Sequence, residues 1–410
     1  MSRPVSAPAG RIPAVTLPFP RRPKYGQPER DAVSAVMDSG RLSETRRGPT
    51  VAALEDTAAR LVGTRYALSF NSGTASLHAA LHAVGASPDA GVAMSPMTWM
   101  SAITAAFHAG SFPVFGDIEE GSTHLAVAAL TGAAPNCSAA MVTHAWGIPA
   151  PMDDLTAATD LPIVEDCSHA HGALYRSRPV GAWGAAGCFS FQEAKAVSGG
   201  EGGIMTTSDH RVYEQALTLG HHPHRLAAEL SLPDLLPLVD AGALYKFRMP
   251  ALSAVIALQQ LRTLPERMAA SEENLTTLLQ IIDGHSLPVT VPTVGSGSVR
   301  GWYGTPLTIT RTVTDPEALR TTCMAEGIPL RLPYLDWLTT PLLQQPDLLR
   351  RFWPHLRGQY RPPQPEKFAN YYQARRQMLV LKIPDVPAAD YMGQVGAALV
   401  SVLTRTLGDA

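Results

Sequence analysis

The sequence predicts an α/β fold, with a large domain built on a mixed, mainly parallel sheet and a smaller α+β domain at the C-terminus. From residue 66 to residue 220, apolar runs of strand length alternate with stretches of helical period, the pattern of a sheet with crossover helices. The chain has 410 residues, of which 45% are hydrophobic. That length exceeds one ordinary core and suits two domains.

Three segments precede the sheet. Residues 1–27 repeat proline without a helical or strand period, which indicates an extended arm. Residues 28–40 and 50–63 place apolar residues at helical spacing and end at glycine, so each predicts a helix. The polar stretch LSETRRGP joins them as a loop. The predicted divisions of the chain are an arm (1–27), a large α/β domain (28–270) and a small α+β domain (271–410).

Strands and helices then follow in alternation. The predicted strands are YALSF, GVAMSP, PVFGDI, AAMVTHAWG, PIVEDCS, CFSF and GGIMTTSD, and the helices are ASLHAALHAVG, TWMSAITAAFHAG and VYEQALTLG. Residues 221–250 carry several prolines and mixed polarity, which predicts a long connection of the kind that often has a function. A long helical stretch over residues 251–282 leads to the small domain. There VTVPTV, GTPLTIT and QMLVLKI predict strands, and EALRTTCMAEG and MGQVGAALVSVLTRTL predict helices.

Composition argues against several classes of protein. A net charge of −2 and a pI near 6.7 give no basis for a nucleic-acid or anionic-membrane partner. The four cysteines have no CxxC spacing, which predicts reduced thiols and neither disulfides nor metal ligands. The proline-interrupted N-terminus lacks the apolar core of a signal peptide, and no run approaches the ~18 apolar residues of a membrane span. The sequence therefore predicts a cytoplasmic protein.

The stretch AGCFSFQEAKAVSGGEGG (186–203) carries the clearest chemical signal. It begins as an apolar strand, breaks at Gln192 and Glu193, presents Lys195 and ends in glycine. A lysine on such a turn can form a Schiff base with a carbonyl if its surroundings lower its pKa, because only the neutral amine reacts. An isolated lysine is more often a solvated loop residue. Its companions in the sequence decide between the two interpretations.

An anion site is predicted where the strand YALSF leads through Asn71, Ser72, Gly73 and Thr74 into a helix. Free backbone amides and the helix dipole at such an N-terminus attract a phosphate, and glycine permits close approach. The same residues also suit a helix cap with no ligand. Ser190, on the strand before the lysine, offers a hydroxyl to the same phosphate.

Three further side chains suit a flat heterocycle. Asp166 ends the apolar strand PIVED, at the sheet edge where open α/β proteins bind ligands, and a carboxylate there can pair with a pyridinium nitrogen. Asp is equally a common helix N-cap. His169 can hydrogen-bond a ring oxygen and Trp99 can stack on a ring, although taken alone each is more often structural. Appearing together in this order, these features predict a pyridoxal phosphate site.

Five stretches follow one another as the motifs of a known family do. They are SFNSGTASLHAAL, SPMTWMSAITAAFHAGSFPVFGDIE, THAWGIPAPMDDL, IVEDCSHAHGALYRSRPVGAWGAAGCFSFQEAKAVSGGEGG and YKFRMPALSAVIALQQL. Over residues 25–270 they resemble the DegT/DnrJ/EryC1/StrS aminotransferases. The resemblance implies a fold-type I pyridoxal phosphate-dependent transferase of the aspartate aminotransferase type. Such enzymes aminate keto-sugars and cyclitols, and they are homodimers with shared active sites.

The resemblance also implies roles for individual residues. Lys195 would hold the cofactor as a Schiff base, Asp166 would pair with its pyridine nitrogen, and His169 would meet its ring oxygen. Trp99 would stack on the ring. The phosphate would be bound by Gly73, Thr74 and Ser190, with Gln192 nearby.

A loop of the second subunit is implied to complete the site. The family motif N-Y-R-M corresponds here to Lys246-Phe247-Arg248-Met249, so a lysine replaces the amide that would touch the phosphate. Lys246 of the partner subunit would supply charge to the phosphate. Arg248 of the partner subunit is a candidate for binding the carboxylate of the amino donor, which is glutamate or glutamine.

The sequence departs from the family pattern in the small domain. The motif H-Y-x-P-L-H of many sugar aminotransferases is absent, and EGIPLRLPYLDWLTTPLL stands in its place. With FSFQ before the lysine, this resembles the glutamine-dependent cyclitol aminotransferases and the aminohydroxybenzoate synthases. The acceptor stays open among a cyclitol, a free sugar, a nucleotide sugar and a heterocycle precursor of natural-product (antibiotic) biosynthesis. The expected mechanism is ping-pong transfer through pyridoxamine phosphate.

Other functions are weighed against this one. In the related pyridoxamine-dependent sugar dehydratases a histidine replaces the Schiff-base lysine, whereas Lys195 is present here. A non-catalytic, cofactor-binding regulator is a further alternative, and a nicotinamide enzyme is disfavoured because no G-x-G-x-x-G follows a strand. The cluster His221, His222 and His224 lacks a carboxylate or thiol at ligand spacing, so a polar loop is favoured over a metal site. If the cluster is functional, His221 and His222 would lie over the acceptor pocket.

Overall fold

A seven-stranded mixed sheet forms the centre of the larger part of the molecule. The computed structural model describes residues 12–240, 242, 245–311, 313–354, 356 and 359–407. The strands of the larger part of the molecule, in chain order, are β1 (Tyr66–Phe70), β2 (Gly91–Met94), β3 (Pro113–Phe115), β4 (Cys137–Thr143), β5 (Ile163–Asp166), β6 (Leu174–Tyr175), β7 (Arg178–Pro179), β8 (Ala186–Ser190) and β9 (Gly203–Thr207). β6 and β7 pair with each other outside the large sheet.

The order of strands in the large sheet is β1-β9-β8-β5-β4-β2-β3. β9 runs antiparallel to both of its neighbours, and the other pairs are parallel. The remaining strands therefore end at one common edge, where α/β sheets bind ligands. All seven predicted strands of this sheet are confirmed. Most are buried along nearly their whole length, which is why they appear in the sequence as continuous apolar runs.

Helices pack on both faces of this sheet. In β1, Leu68 and Phe70 belong to one hydrophobic cluster and Ala67, which points to the opposite face, belongs to another. The helices, in chain order, are α1 (Gln27–Asp38), α2 (Pro49–Val62), α3 (Gly73–Ala83), α4 (Met100–His108), α5 (Val127–Ala133), α6 (Met152–Ala157), α7 (His210–Gly220), α8 (Pro223–Glu229), α9 (Ala251–Arg262), α10 (Leu264–Gly284), α11 (Pro316–Ala325), α12 (Pro341–Gln344), α13 (Pro346–Phe352), α14 (Ala369–Gln377) and α15 (Ala389–Leu407).

Two regions differ from the elements that the sequence predicts. The stretch 251–282 is two helices, because Pro265 cannot donate the backbone hydrogen bond that would continue α9, and the chain restarts as α10. The predicted connection over 221–250 contains α8, which His222 caps and Pro223 begins. The short helices α5, α6, α12 and α13 were not predicted, since four to seven residues are too few to display a helical period.

A four-stranded antiparallel sheet organises the C-terminal part. Its strands are β10 (Val289–Thr290), β11 (Thr305–Ile309), β12 (Leu330–Arg331) and β13 (Met378–Leu381), in the order β10-β11-β13-β12. Helices α10, α11 and α15 share its hydrophobic cluster. Tyr334, Trp337 and Tyr371 instead belong to the cluster of the large sheet. The division of the chain near residue 270 stays a prediction.

The described part of the N-terminal arm, residues 12–26, contains no helix or strand. It lies against the C-terminal part: the Val15 amide donates to the Glu326 carbonyl (2.9 Å), and the Thr16 amide donates to the Gln394 side chain (2.9 Å). Residues 1–11 of the predicted arm lie outside the described residues. Among the helices of the described chain, none is long and apolar enough to cross a membrane.

Candidate active site

A cavity of about 370 Å³ opens where the strands of the large sheet end. Eight of the residues selected from the sequence line it: Gly73, Thr74, Trp99, Asp166, His169, Ser190, Gln192 and Lys195. The structure also places Ser72, Leu77, Ser101, Thr143, Ser168, Glu201 and Tyr303 on its wall. Residues more than a hundred positions apart in the chain thus meet in one space.

One end of the cavity is the N-terminus of α3. The Ser72 hydroxyl caps this helix by accepting a hydrogen bond from the Ala75 amide (3.0 Å). Gly73 and Thr74 begin the helix, and amides of a first turn have no acceptor within their own helix. A Cβ on Gly73 would lie 2.7 Å from the Ser190 Cβ, so only glycine lets the two segments approach this closely. The amides and the Ser190 hydroxyl together can bind an anion.

Asp166, at the end of β5, is the carboxylate of the cavity. It is buried, and its Oδ1 accepts a hydrogen bond from the Ser168 amide (3.1 Å). The preceding residue, Glu165, points the other way and accepts from three backbone amides, those of Gly181, Trp183 and Gly184. Asp166 is therefore free to meet a cationic nitrogen, whereas Glu165 serves the fold.

His144, Glu165 and Cys167 bring their ligand atoms within 4.8 Å of one another. The His144 Nδ1 accepts a hydrogen bond from the Ala150 amide (3.0 Å), and its Nε2 lies 3.0 Å from Glu165. Both ring nitrogens are thus used within the protein, and burial raises the pKa of the Cys167 thiol well above its ordinary value. This group suits a structural hydrogen-bond network better than a metal site.

His169 is held as a neutral imidazole by its surroundings. The Tyr334 hydroxyl lies 2.7 Å from Nδ1, and the Tyr303 ring stacks on the imidazole with centroids 3.7 Å apart. Burial and then the Lys195 charge lower the pKa of His169 well below its ordinary value, and burial raises the pKa of Tyr334. A phenol that keeps its proton donates it to Nδ1, which leaves the imidazole hydrogen on Nε2.

Lys195 lies on a turn, as its sequence context predicts. Its amide donates to the Gln192 carbonyl (2.9 Å), and its Nζ is 4.3 Å from the centroid of the Tyr303 ring. Burial lowers the pKa of Lys195 to about 8; the Asp166 carboxylate opposes this shift and the Arg331 guanidinium adds to it. A large share of the amine is therefore neutral and nucleophilic near pH 8.

This pKa predicts how fast the cofactor-free protein captures an aldehyde such as pyridoxal phosphate. We expect the rate to rise as pH increases through about 8, well below the ordinary lysine value of 10.5, because the neutral amine attacks. Arg331→Gln removes a nearby positive charge, so the curve should move to higher pH, whereas Arg320→Gln on α11 should leave it unchanged. Visible absorbance measured over a pH series checks this. A curve that moves to lower pH in Arg331→Gln would contradict it.

Trp99 stands just before α4 on the cavity wall. Its indole makes edge-to-face contacts with Tyr334 (6.0 Å) and Trp337 (5.5 Å), and 49% of its surface is exposed. The Trp337 indole is fixed in turn by its hydrogen bond to the Thr98 carbonyl (2.7 Å). An exposed indole that is held at its edges can stack on a flat ligand.

No motif in the sequence predicts the aromatic residues that cover His169. Tyr303 and Tyr334 lie in the segments WYG and LPYLDW, where each looks like an ordinary core residue. Arg331, which stacks over the Tyr303 ring at 4.8 Å, follows from no motif either. LPYLDW does belong to the stretch that departs from the family pattern, and that departure is the one signal pointing to this region.

Four predicted residues do not line the cavity within this chain. Lys246 is exposed with φ of 57°, and Arg248 is partly exposed in the same loop. The loop is tied to the end of β1, since the Phe247 carbonyl accepts from the Asn71 amide (2.6 Å). His221 is buried with its ring edge against Phe70, and His222 accepts from the His224 amide (3.1 Å) as the cap of α8.

Comparison with known proteins decides the family. The model of the DegT/DnrJ/EryC1/StrS aminotransferase family matches residues 23–350. The chain belongs to this family. Spore coat polysaccharide biosynthesis protein SpsC of Bacillus subtilis is 32% identical over 267 residues, which are 61% of this chain and 65% of that protein, slightly under two thirds of its length.

Several solved structures share the fold of this DegT-family chain. A 3-amino-5-hydroxybenzoic acid synthase matches with a TM-score of 0.81 at 23% identity, covering 97% of this chain and 100% of the other. An aminotransferase from Psychrobacter cryohalolentis gives 0.77 at 24% identity, covering 95% and 99%. A GDP-4-keto-6-deoxy-D-mannose-3-dehydratase of E. coli gives 0.77 at 18% identity, covering 94% and 99%. The predicted fold class is confirmed.

Enzymes of the DegT family work with pyridoxal 5′-phosphate. The cavity offers a complement to each part of that molecule: an amine of lowered pKa for the aldehyde, a helix N-terminus for the phosphate and a buried carboxylate for the pyridine nitrogen. The close contact that excludes a Cβ at Gly73 brings Ser190 and its hydroxyl next to the start of α3. The residues present fit the cofactor.

Proposed function

We propose that this chain is a pyridoxal phosphate-dependent aminotransferase that moves an amino group from glutamate or glutamine to a ketone. The acceptor is a sugar, a cyclitol or a related ring intermediate of natural-product biosynthesis. One observation carries the proposal: Lys195, with its pKa lowered to about 8, shares a cavity with Asp166 and the anion-binding start of α3. A site that only binds an ion, or that only stabilises the fold, needs no neutral lysine.

Each of these residues of the cavity would bind a different part of the cofactor. Asp166 would pair with the pyridine nitrogen and keep it protonated, the Nε2 hydrogen of His169 would be donated to the ring oxygen, and Trp99 would stack on the ring. When bound, the cofactor supplies an electrophilic carbon and a sink for the electrons released at the substrate. The phosphate is bound by Gly73, Thr74 and Ser190, with Gln192 beside them.

Lys195 moves the proton. Its neutral Nζ would take the proton from the donor's Cα and release it on the other side of the transferred nitrogen, while the bound cofactor would supply the electron sink. The reverse transfer then serves the acceptor, so the two substrates react in turn with ping-pong kinetics. The Tyr303 ring, 4.3 Å from Nζ, keeps the amine next to the reacting atoms through a contact that the protonated form strengthens.

We further propose a homodimer in which each copy completes the other's site. Lys246 and Arg248 lie outside their own cavity on an exposed loop, which supports a role toward a second copy. There Lys246 would add charge at the phosphate and Arg248 would bind the donor carboxylate. His222 is the better placed of the two histidines to reach an acceptor, because His221 is buried. We place the enzyme in the cytoplasm, without a nucleic-acid or membrane partner.

The test uses the purified protein loaded with pyridoxal phosphate. Glutamate and glutamine are added separately while the visible absorption of the bound cofactor is followed. We expect one donor to convert it to the pyridoxamine form, and the matching keto acid to restore it. Glutarate, which lacks the amino group, is the control and should change nothing.

A cofactor band that neither donor discharges would overturn the amino-transfer proposal. Release of water from a keto-sugar by the protein loaded with pyridoxamine phosphate, without amination of the sugar, would favour the dehydratase alternative. The DegT-family fold is common to both activities. The presence of Lys195 supports transfer.

A further inference from the structure

Lys195 borders two cavities. The first cavity is the one of about 370 Å³ at the ends of the strands of the large sheet, and a second, of about 450 Å³, is lined by the N-terminal arm and the start of α10. Lys195 and Tyr303 are on the walls of both. Because open space borders the lysine in two cavities, packing alone does not fix its side chain. The position of the amine depends on how firmly the loop that carries it is held.

The backbone closes the base of the loop that carries Lys195. The Gly199 amide donates to the Phe191 carbonyl (2.8 Å), and the Arg267 guanidinium donates to the Ala196 carbonyl. These bonds restrain the base of the loop and the residue after the lysine. They do not join the two sides of the loop next to the lysine.

Tyr25 of the arm joins these two sides. Its hydroxyl donates to the Glu193 carboxylate, two residues before the lysine, and lies 2.9 Å from the Ser198 hydroxyl, three residues after it. Since the tyrosine hydrogen goes to the carboxylate, the Ser198 hydroxyl donates to the tyrosine oxygen. The Ser198 oxygen in turn accepts from the Gly200 amide (3.1 Å). A chain of three hydrogen bonds therefore runs from Gly200 to Glu193, with Lys195 inside the loop that it spans.

The Tyr25 hydroxyl keeps its hydrogen near neutral pH. Burial, followed by the hydrogen bond to Glu193, raises the pKa of Tyr25 to about 12. Ser198 is fully buried, so its hydroxyl depends on partners within the protein, of which Tyr25 is one. The bridge between the two sides of the loop is thus intact in the pH range where Lys195 reacts.

Tyr25 is itself fixed to two helices. The carbonyl of the preceding residue, Lys24, accepts from the Gln260 side chain of α9 (2.9 Å), and the amide of the following residue, Gly26, donates to Glu29 of α1 (2.7 Å). Gln260 also donates to Glu29 (2.6 Å), and both side chains are buried. The backbone on either side of Tyr25 is therefore tied to α1 and α9, and its hydroxyl reaches the lysine loop from a rigid support.

We infer that Tyr25 is a positioning residue for Lys195: through this hydroxyl the arm holds both sides of the lysine loop and keeps the amine directed into the first cavity. A displacement of about 1 Å at a reacting group can slow a reaction by about a hundredfold, so the loss of such a restraint affects the rate. The inference rests on the proposed function and deepens it, because it makes the N-terminal arm control the reactivity of the amine.

Tyr25→Phe removes the hydroxyl and keeps the ring. We expect the cofactor-free variant to capture pyridoxal phosphate about tenfold more slowly at about pH 9, where most of the Lys195 amine is neutral. The amides of residues 192–200 should also exchange faster with deuterated water, as measured by mass spectrometry. Glu193→Ala breaks the same bridge at its other end. It should slow capture to a similar extent, and the double variant should be little slower than either single one.

The dependence of the capture rate on cofactor concentration separates positioning from instability. A protein that is only destabilised loses amplitude of the absorbance change, because fewer molecules are folded, but the folded molecules react at the unaltered rate. Loss of positioning instead lowers the saturating rate. It leaves the concentration for half-saturation unchanged, because the anion site at the start of α3 is intact.

Gln394→Ala is the matched control, because Gln394 holds the arm elsewhere, by accepting from the Thr16 amide (2.9 Å) and the Leu17 amide (3.1 Å). It should leave both the capture rate and the exchange of residues 192–200 unchanged. An unaltered saturating rate in Tyr25→Phe, a slower rate without faster exchange of the loop amides, or equal slowing in Gln394→Ala would overturn the inference.

The donor-induced spectral change of the loaded protein tests the proposed function separately. If Tyr25→Phe slows capture as expected but no donor acts on the unaltered protein, the proposed function fails and Tyr25 still positions the amine. If a donor acts and Tyr25→Phe captures the cofactor at the unaltered rate, only this inference fails.

Discussion

Lys195→Ala is expected to slow amino transfer by about 10²–10⁴-fold, the usual contribution of a positioned acid-base group. No other amine is described on the wall of the first cavity, so the variant removes the base that the proposed function assigns to the donor's proton. The variant should still bind the cofactor, because Gly73, Ser190 and Asp166 are unchanged. Single-turnover absorbance after addition of the preferred donor measures the rate.

Two controls make this result specific to the amine. A small primary amine such as methylamine, added to Lys195→Ala, should restore part of the rate by replacing the missing base. Lys24→Gln, a change outside the first cavity, should keep the rate of the donor step. A Lys195→Ala protein that transfers amino groups at the unaltered rate would show that another group moves the proton.

The sequence predicts the parts of the site that lie next to strands of the large sheet. Ser190 ends β8 and Lys195 follows it, Asp166 ends β5, and Gly73 follows β1. The local pattern of strand, turn and helix therefore places each one at the common edge. The residues lie far apart in the chain. Their meeting follows from strand order alone.

The aromatic cover of the site could not be predicted in this way. Tyr334 contacts His169 across 165 positions, and Tyr303 reaches the same imidazole from a segment without regular structure. No periodicity relates these positions, because their contact depends on how the C-terminal part packs on the sheet.

Glu55→Gln is expected to lower the free energy of unfolding by about 3–5 kcal/mol, the cost of leaving a buried charge without its partner. Glu55, on α2, is fully buried and accepts two hydrogen bonds from Arg225, at 3.0 and 2.8 Å. It also accepts from the amide and hydroxyl of Ser69, both at 2.9 Å. Ser69 lies just before the turn that begins α3. The variant should therefore also release pyridoxal phosphate more readily.

The pKa of Glu55 predicts how this difference in the free energy of unfolding changes with pH. Burial raises the pKa of Glu55, but the Arg225 charge and hydrogen bonds outweigh it and lower the pKa to about 2, from 4.5. A lowered carboxyl pKa stabilises the fold above about pH 4.5, and this contribution is lost as pH falls toward 2. The difference between the unaltered protein and Glu55→Gln should therefore shrink in acid.

Denaturant unfolding of the cofactor-free proteins, followed by fluorescence, measures the difference. Arg47→Gln is the matched control: Arg47 also bonds Glu55 (2.8 Å), but 34% of its side chain is exposed, so its loss should cost only about 0–1 kcal/mol. Equal stability of Glu55→Gln and the unaltered protein near neutral pH would mean that Glu229, whose Oε1 accepts a hydrogen bond from the Arg225 Nε (3.0 Å), is a sufficient partner for Arg225. A difference at pH 3 as large as the one at neutral pH would place the effect in packing and not in charge. We expect a large loss of unfolding free energy for Glu55→Gln and a small one for Arg47→Gln. That pattern would show that burial of the ion pair is the source of the stability.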